Sequence, residues 1–177
     1  ALLRDPGIDG SFLLLHPGME PGAGTGYIAA FPGTKDDLSA YDVVFIGDIG
    51  IQPGKFTEQH CELLKGLVAQ QGSGLVFMPG IHGNEMSLLS TPLGELMPVV
   101  LDETQLNGFG MEMESRIVLT ERGRGHLLTM LESDPARNEA LWKRLPGFYW
   151  YAPVAKAKAG ADVLAVHAIA RHGEGRL

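Results

Sequence analysis

Gln70-Gln71-Gly72-Ser73-Gly74-Leu75-Val76-Phe77-Met78-Pro79-Gly80-Ile81-His82-Gly83-Asn84-Glu85 closes a helix, runs a strand and opens a loop in one succession. Upstream of it, Phe56, Leu63, Leu64, Leu67 and Val68 recur at helical spacing, and Gly72 stands where a left-handed cap ends a helix. The period then changes. Leu75-Val76-Phe77-Met78 is continuously apolar between glycines, the pattern of a strand buried on both faces of a parallel sheet. Pro79 to Glu85 follows at the carboxyl end of that strand, which is where open α/β sheets place their ligands.

Working outward, Asp42–Asp48 reads as another buried strand, and Gly50–Gly54 turns the chain into the helix. Thr57 is its N-cap, and Phe56 before the cap with Cys61 inside the first turns forms a hydrophobic staple, which gives the cysteine a structural task. Ser11–His16 is a first strand ended by Pro17-Gly18, and His16 through Gly33 is a long irregular connection rich in proline and glycine. Strands at Phe12–Leu15, Val43–Gly47 and Leu75–Met78 are predicted parallel, with Phe56–Gln71 as the crossover and Leu64 and Val76 in the core.

Downstream, Thr91-Pro92 starts a short helix that Pro98 stops, Val99–Leu101 runs extended, and Arg116–Thr120 is a strand. Asp134-Pro135 opens a helix carrying Ala140, Leu141 and Leu145 on one side with Trp142 beside them, and Pro146-Gly147 ends it. His126–Leu131 has no clear period. Phe148–Ala152 and Ala161–His167 flank Lys156–Gly160 and are predicted to pair antiparallel as an appendage to the parallel core.

Composition bounds the functions. With 177 residues and 45% apolar content the chain can bury one core, so 1–177 reads as a single domain. A net charge of −7 with no lysine and arginine cluster argues against a nucleic-acid partner and against anionic membrane surfaces. No apolar run approaches the ~20 residues of a membrane span. A single cysteine excludes an internal disulfide. Ala1–Gly7 reads as the last turn of a helix rather than a targeting segment, and His172–Leu177 stops in a turn-like stretch, so the chain is expected to be an excised piece of a longer protein.

The series Tyr41-Asp42-Val43-Val44-Phe45-Ile46-Gly47-Asp48, then a helix, then Gly72–Gly80, then Thr91-Pro92-Leu93-Gly94-Glu95-Leu96-Met97-Pro98-Val99 resembles the class I glutamine amidotransferase-like domains. More narrowly it is similar to a branch found in bacterial membrane-anchored proteins beside von Willebrand A-type domains. The resemblance implies a three-layer, flavodoxin-like α/β fold with a mostly parallel sheet and here a β-rich carboxyl-terminal extension. It also implies an extracytoplasmic setting, with other domains of the same polypeptide or envelope proteins as partners. In that family an earlier strand lies between those matching Phe12–Leu15 and Val43–Gly47. Its place is expected to be taken by direct pairing of the flanking strands, by a changed sheet order, or by a strand from a second copy in a homodimer.

Active members of the family present a cysteine on a tight strand-to-helix turn, where a thiol stands above the sheet beside backbone N–H groups that hold an oxyanion. The matching turn here, Gly80-Ile81-His82-Gly83, has no cysteine, serine or threonine between its glycines. Cys61 lies near the start of a helix and is expected to be packed rather than reactive. The resemblance therefore implies a pseudoenzyme: a ligand-binding or protein-interaction module with no catalytic residues and no cofactor. The candidate ligand-binding residues are Asp48, Gly80, His82, Gly83, Asn84 and Glu85. The alternative is a hydrolase or metal-dependent enzyme, in which His82, Glu85 and Asp48, with His16 from a neighbouring strand end, act as acid–base groups or metal ligands. Gly22–Gly26 matches a phosphate loop only loosely, since no Lys-Ser/Thr follows. Phe148–Tyr151 reads as strand before stacking platform, and His126, His167 and His172 carry no partner pattern.

Overall fold

A computed structural model describes residues 5–15, 24–172 and 175–176 of the chain. Helix and strand are mixed throughout, and the chain divides into two compact units, one of Ala1–Met78 with Ser87–Leu96 and the other of Pro79–Met86 with Met97–Leu177.

The first unit holds the helix and strand legible in the sequence. Helix α1 (Lys35–Leu38) is capped by Thr34, whose hydroxyl accepts the Asp37 N–H at 3.1 Å. Strand β1 (Val43–Ile46) leads to helix α2 (Glu58–Gly66). At the start of α2 the Thr57 N–H donates to Nδ1 of His60 at 3.2 Å, so a histidine takes the place that glutamate or glutamine holds in a capping box. Phe31, Phe56 and His60 form a ring cluster there, with centroids 4.9 to 5.9 Å apart. The helix ends in a π-helical turn, Leu67–Gln71, and Gly72 closes it at φ 78°, where its N–H reaches the Val68 carbonyl. Strand β2 (Gly74–Phe77) then pairs parallel to β1 in the register Val43 with Gly74 through Ile46 with Phe77. Helix α3 (Pro92–Leu96) packs on α2, and Thr91 caps it by accepting the Leu93 N–H. The apolar core is concentrated here: Leu38, Ile46, Phe56, Cys61, Leu64, Leu67, Leu88 and Leu93 are all buried.

Two expectations for this unit are corrected. Phe12–Leu15 does not form a strand beside β1. Phe12 makes one parallel bridge, to Tyr27, because its N–H and carbonyl are taken by Gly26 and Ile28. The Leu75–Met78 run is not buried on both faces. Val43, Phe45, Val76 and Met78 are 45%, 53%, 36% and 49% exposed, while the alternate residues Val44, Ile46, Leu75 and Phe77 turn inward. A sheet of two strands buries one face, and its period of two sends every other side chain to solvent.

The second unit is built from antiparallel pairs. Its strands are β3 (Val99–Leu101), β4 (Phe109–Ser115), β5 (Ile117–Leu119), β6 (Phe148–Tyr151), β7 (Val154–Ala157), β8 (Ala165–His167), β9 (Arg171–His172) and β10 (Gly175–Arg176), with helices α4 (Glu121–Arg124) and α5 (Pro135–Arg144) between β5 and β6. The predicted pairing of Phe148–Ala152 with Ala161–His167 is corrected. Strand β6 pairs with β4, β8 with β5, and β7, which contains Lys156, with β3. Each run therefore finds its partner on the far side of α5. Asp134 caps α5 by accepting the Arg137 N–H at 2.8 Å, with Pro135 in the first turn, as the sequence indicates. Several of the buried side chains in this unit are polar: Ser115, Thr129, Asn138 and His167.

Candidate functional site

The loop after β2 is held by short-range geometry. Gly83 donates its N–H to the Gly80 carbonyl at 3.2 Å and closes a turn over Ile81 and His82. The Ile81 carbonyl accepts from Asn107 Nδ2 at 3.0 Å, and Asn107 in turn offers its own carbonyl to the Trp150 indole N–H at 2.7 Å. Gly83 sits at φ 64°, and the Leu106 carbonyl occupies the space a Cβ would need. Its glycine is thus required by backbone conformation and close packing. Asn84 to Leu88 continues as a 3-10 helix.

This geometry differs from a nucleophile elbow. Such an elbow holds its nucleophile on a sharp, strained turn, and among the described residues no non-glycine residue has a positive φ. In the loop His82 and Asn84 are exposed, whereas Glu85 is buried at 4% exposure. Gly80, His82, Gly83, Asn84 and Glu85 share this one segment of the second unit. Asp48, half-buried beyond the end of β1, belongs to the first unit. His16 lies outside the described residues. Among the described residues, no three histidine, cysteine, aspartate or glutamate side chains form a group that could hold a metal ion.

Cys61 is fully buried in α2. Burial pushes its thiol above the ordinary value, the nearby carboxylates of Glu58 and Glu62 add to that, and a hydrogen bond with the Thr91 side chain opposes it. A nucleophilic thiol needs the reverse: exposure and a lowered pKa. The aromatic run Phe148–Tyr151 alternates as a strand should, with Tyr149 58% exposed and Tyr151 stacked on Phe109 at 5.0 Å, so it presents no single flat platform. Of the Gly22–Gly26 stretch, Gly24 and Gly26 are described, both with positive φ, and a side chain on Gly26 would meet the Gly10 carbonyl.

Two groupings escape sequence reasoning. The first is a buried serine–histidine pair: Ser115 Oγ lies 2.7 Å from His167 Nε2, the two residues being 5% and 7% exposed. The N–H groups of Ile169 and Ala170 both donate to His167 Nδ1, at 3.0 and 2.7 Å. A nitrogen that accepts carries no proton, so the neutral ring holds its proton on Nε2 and donates it to Ser115 Oγ. A general base for serine needs a free lone pair at that nitrogen, so this pair is a structural tie rather than an acyl-transfer dyad. The only sequence signal is a histidine at the inward end of the Ala165-Val166-His167 run.

The second grouping is an apolar ridge. Leu127, Leu128, Met130 and Leu131 are 75%, 80%, 51% and 52% exposed. The backbone beneath them is pinned by polar contacts: Thr129 Oγ1 donates to the Gly123 and His126 carbonyls, and the Thr129 carbonyl accepts from Trp142 Nε1 at 2.7 Å. Nearby, Leu119, Arg124, Pro135, Ala136, Asn138 and Glu139 line an open pocket of about 270 Å³.

No family model matches this chain, and comparison with curated proteins and with solved structures gives no match.

Proposed function

We propose that this chain is a non-catalytic, amidotransferase-like domain of the flavodoxin-like, three-layer class, working as a protein-interaction module within a larger envelope-associated protein. The flavodoxin-like reading is supported by the parallel β1–β2 pair joined through α2. The non-catalytic reading is supported by the buried, protonated Cys61, by the Gly80–Gly83 turn without a nucleophile, and by the tautomer of His167.

The observation that carries binding is the Leu127–Leu131 ridge. Four large apolar side chains in one short segment stand out to solvent on a backbone fixed by Thr129, Asn138 and Trp142. Exposed apolar patches of this kind mark interaction sites, and a pre-formed one loses little conformational entropy on binding. The loop residues Gly80, His82, Gly83, Asn84 and Glu85 of the second unit are proposed small-ligand contacts, and Asp48 is a separate proposed contact in the first unit. Partners are sought among other domains of the same polypeptide, envelope proteins and a second copy of the chain.

A photo-crosslinking residue placed at Leu128 in cells is expected to yield discrete protein adducts that Leu127→Glu removes without unfolding the chain. Absence of an adduct, together with glutamine or ester hydrolysis abolished by Cys61→Ser or Ser115→Ala, overturns the reading.

A further inference from the structure

His167 closes strand β8 and is gripped from three sides. From β4, Ser115 Oγ takes the Nε2 proton at 2.7 Å, with Met111 Sδ at 3.4 Å as a second acceptor. From β6, Phe148 meets the ring edge-on at 5.7 Å and Tyr151 lies tilted at 4.9 Å. From β5, Ile117 stands opposite it in the ladder. The Tyr151 phenol is the one titratable group among these neighbours. The adjoining Arg116 directs its guanidinium to the Lys143 and Leu145 carbonyls and to the Glu114 carboxylate.

The remaining side of the ring does the unusual work. Nδ1 accepts two backbone N–H groups from the turn that follows, those of Ile169 and Ala170. Those bonds exist only while Nδ1 keeps its lone pair. A proton taken up there from solvent would set one N–H against two others, and among the described residues no carboxylate is hydrogen-bonded to the ring, so the two bonds must break. Nothing else in the turn replaces them at that nitrogen.

We propose that His167 is a pH-operated latch: unprotonated at Nδ1 it ties the turn at Ile169 and Ala170 to β8, and acidification opens that turn and frees the approach to β9. The direction agrees with burial, which holds the imidazole below its ordinary value in the closed state. Once the turn is open Nδ1 can take up a proton, and below the titration of that open form each further unit of acidification favours it by up to about tenfold until the closed state too takes up the proton. This property is independent of the interaction-module reading, since it asks only that the second unit be folded.

Long-range nitrogen spectra of the His167 ring, with amide protection measured from pH 7.5 to 5, test it on the whole chain. The expected result is the Nε2–H tautomer at neutral pH. Protection at Ile169 and Ala170, corrected for intrinsic exchange, should fall up to about tenfold per unit below the imidazole range while the amides of β4 and β6 hold. His167→Asn supplies a non-titrating acceptor in reach of the same N–H groups and should flatten the response. A ring protonated at Nδ1 at neutral pH, protection that ignores pH, or simultaneous loss across the unit overturns the latch. Should His167→Asn fail to fold, the ring spectrum and the two wild-type amides decide alone.

Discussion

The side-chain amide of Asn138 donates to the Thr129 carbonyl at 3.2 Å from a position only 3% exposed on α5, and its oxygen accepts the N–H groups of Leu131 and Glu132 at 2.8 and 3.3 Å. One buried amide therefore satisfies three backbone groups under the apolar ridge. Asn138→Ala strands the Leu131 and Glu132 N–H groups, while the Thr129 carbonyl keeps the Trp142 indole N–H, and leaving polar groups unsatisfied costs about 1–3 kcal/mol apiece before relaxation, so a loss of roughly 2–4 kcal/mol is expected in urea unfolding. Asn138→Asp keeps the acceptor, loses the donor, and should fall between the two.

The exposure pattern separates Leu64 from Val76. Leu64 is fully buried on α2, and Leu64→Ala is expected to cost roughly 2–5 kcal/mol. Val76 is 36% exposed on the outward face of β2, so Val76→Ala should change stability by no more than about 1 kcal/mol. Equal midpoints for the two variants would show that the inward face of the β1–β2 pair has been misassigned.

Cys61 is raised in the folded state, so its contribution to stability is complete below the unfolded thiol value of about 8.5 and is lost as pH rises through the folded one. The denaturation midpoint of the wild type should accordingly fall more steeply above that pH than the midpoint of Cys61→Ala. At neutral pH a thiol reagent should label the protein no faster than it unfolds. Rapid labelling of the native chain would reopen the case for a reactive cysteine.

Gly83→Ala combines two faults at the loop after β2. The backbone is at φ 64°, which costs a non-glycine residue roughly 1–2 kcal/mol, and the added methyl runs into the Leu106 carbonyl. A loss of more than about 2 kcal/mol is expected, with the hydrogen bond from Asn107 to Ile81 broken and the Trp150 fluorescence altered. An alanine variant with native stability and spectrum would mean that the turn has another conformation of similar energy.

The elements that the sequence determined by itself are those whose causes lie within a few residues. Thr57, Phe56 and Gly72 mark the ends of the α2 segment, Asp134 and Pro135 start α5, and Thr91 starts α3, because capping hydrogen bonds and fixed dihedral angles act over one turn. The parallel pairing of Val43–Ile46 with Gly74–Phe77 was legible for a related reason: a strand, one helix and a strand leave few ways back to the sheet. The absence of a nucleophile between Gly80 and Gly83 was also plain from the residues. Only the tertiary structure decided the partners of the later strands, because alternation tells which face a side chain takes and not which strand lies alongside. Phe148–Tyr151 and Ala165–His167 each satisfied their backbone groups against strands before α5 instead of against each other. The same limit hid the Ser115–His167 contact, made between residues 52 positions apart. A hydrogen bond at 2.7 Å depends on register, strand pairing and ring tautomer together, and none of these is a property of a local stretch of chain.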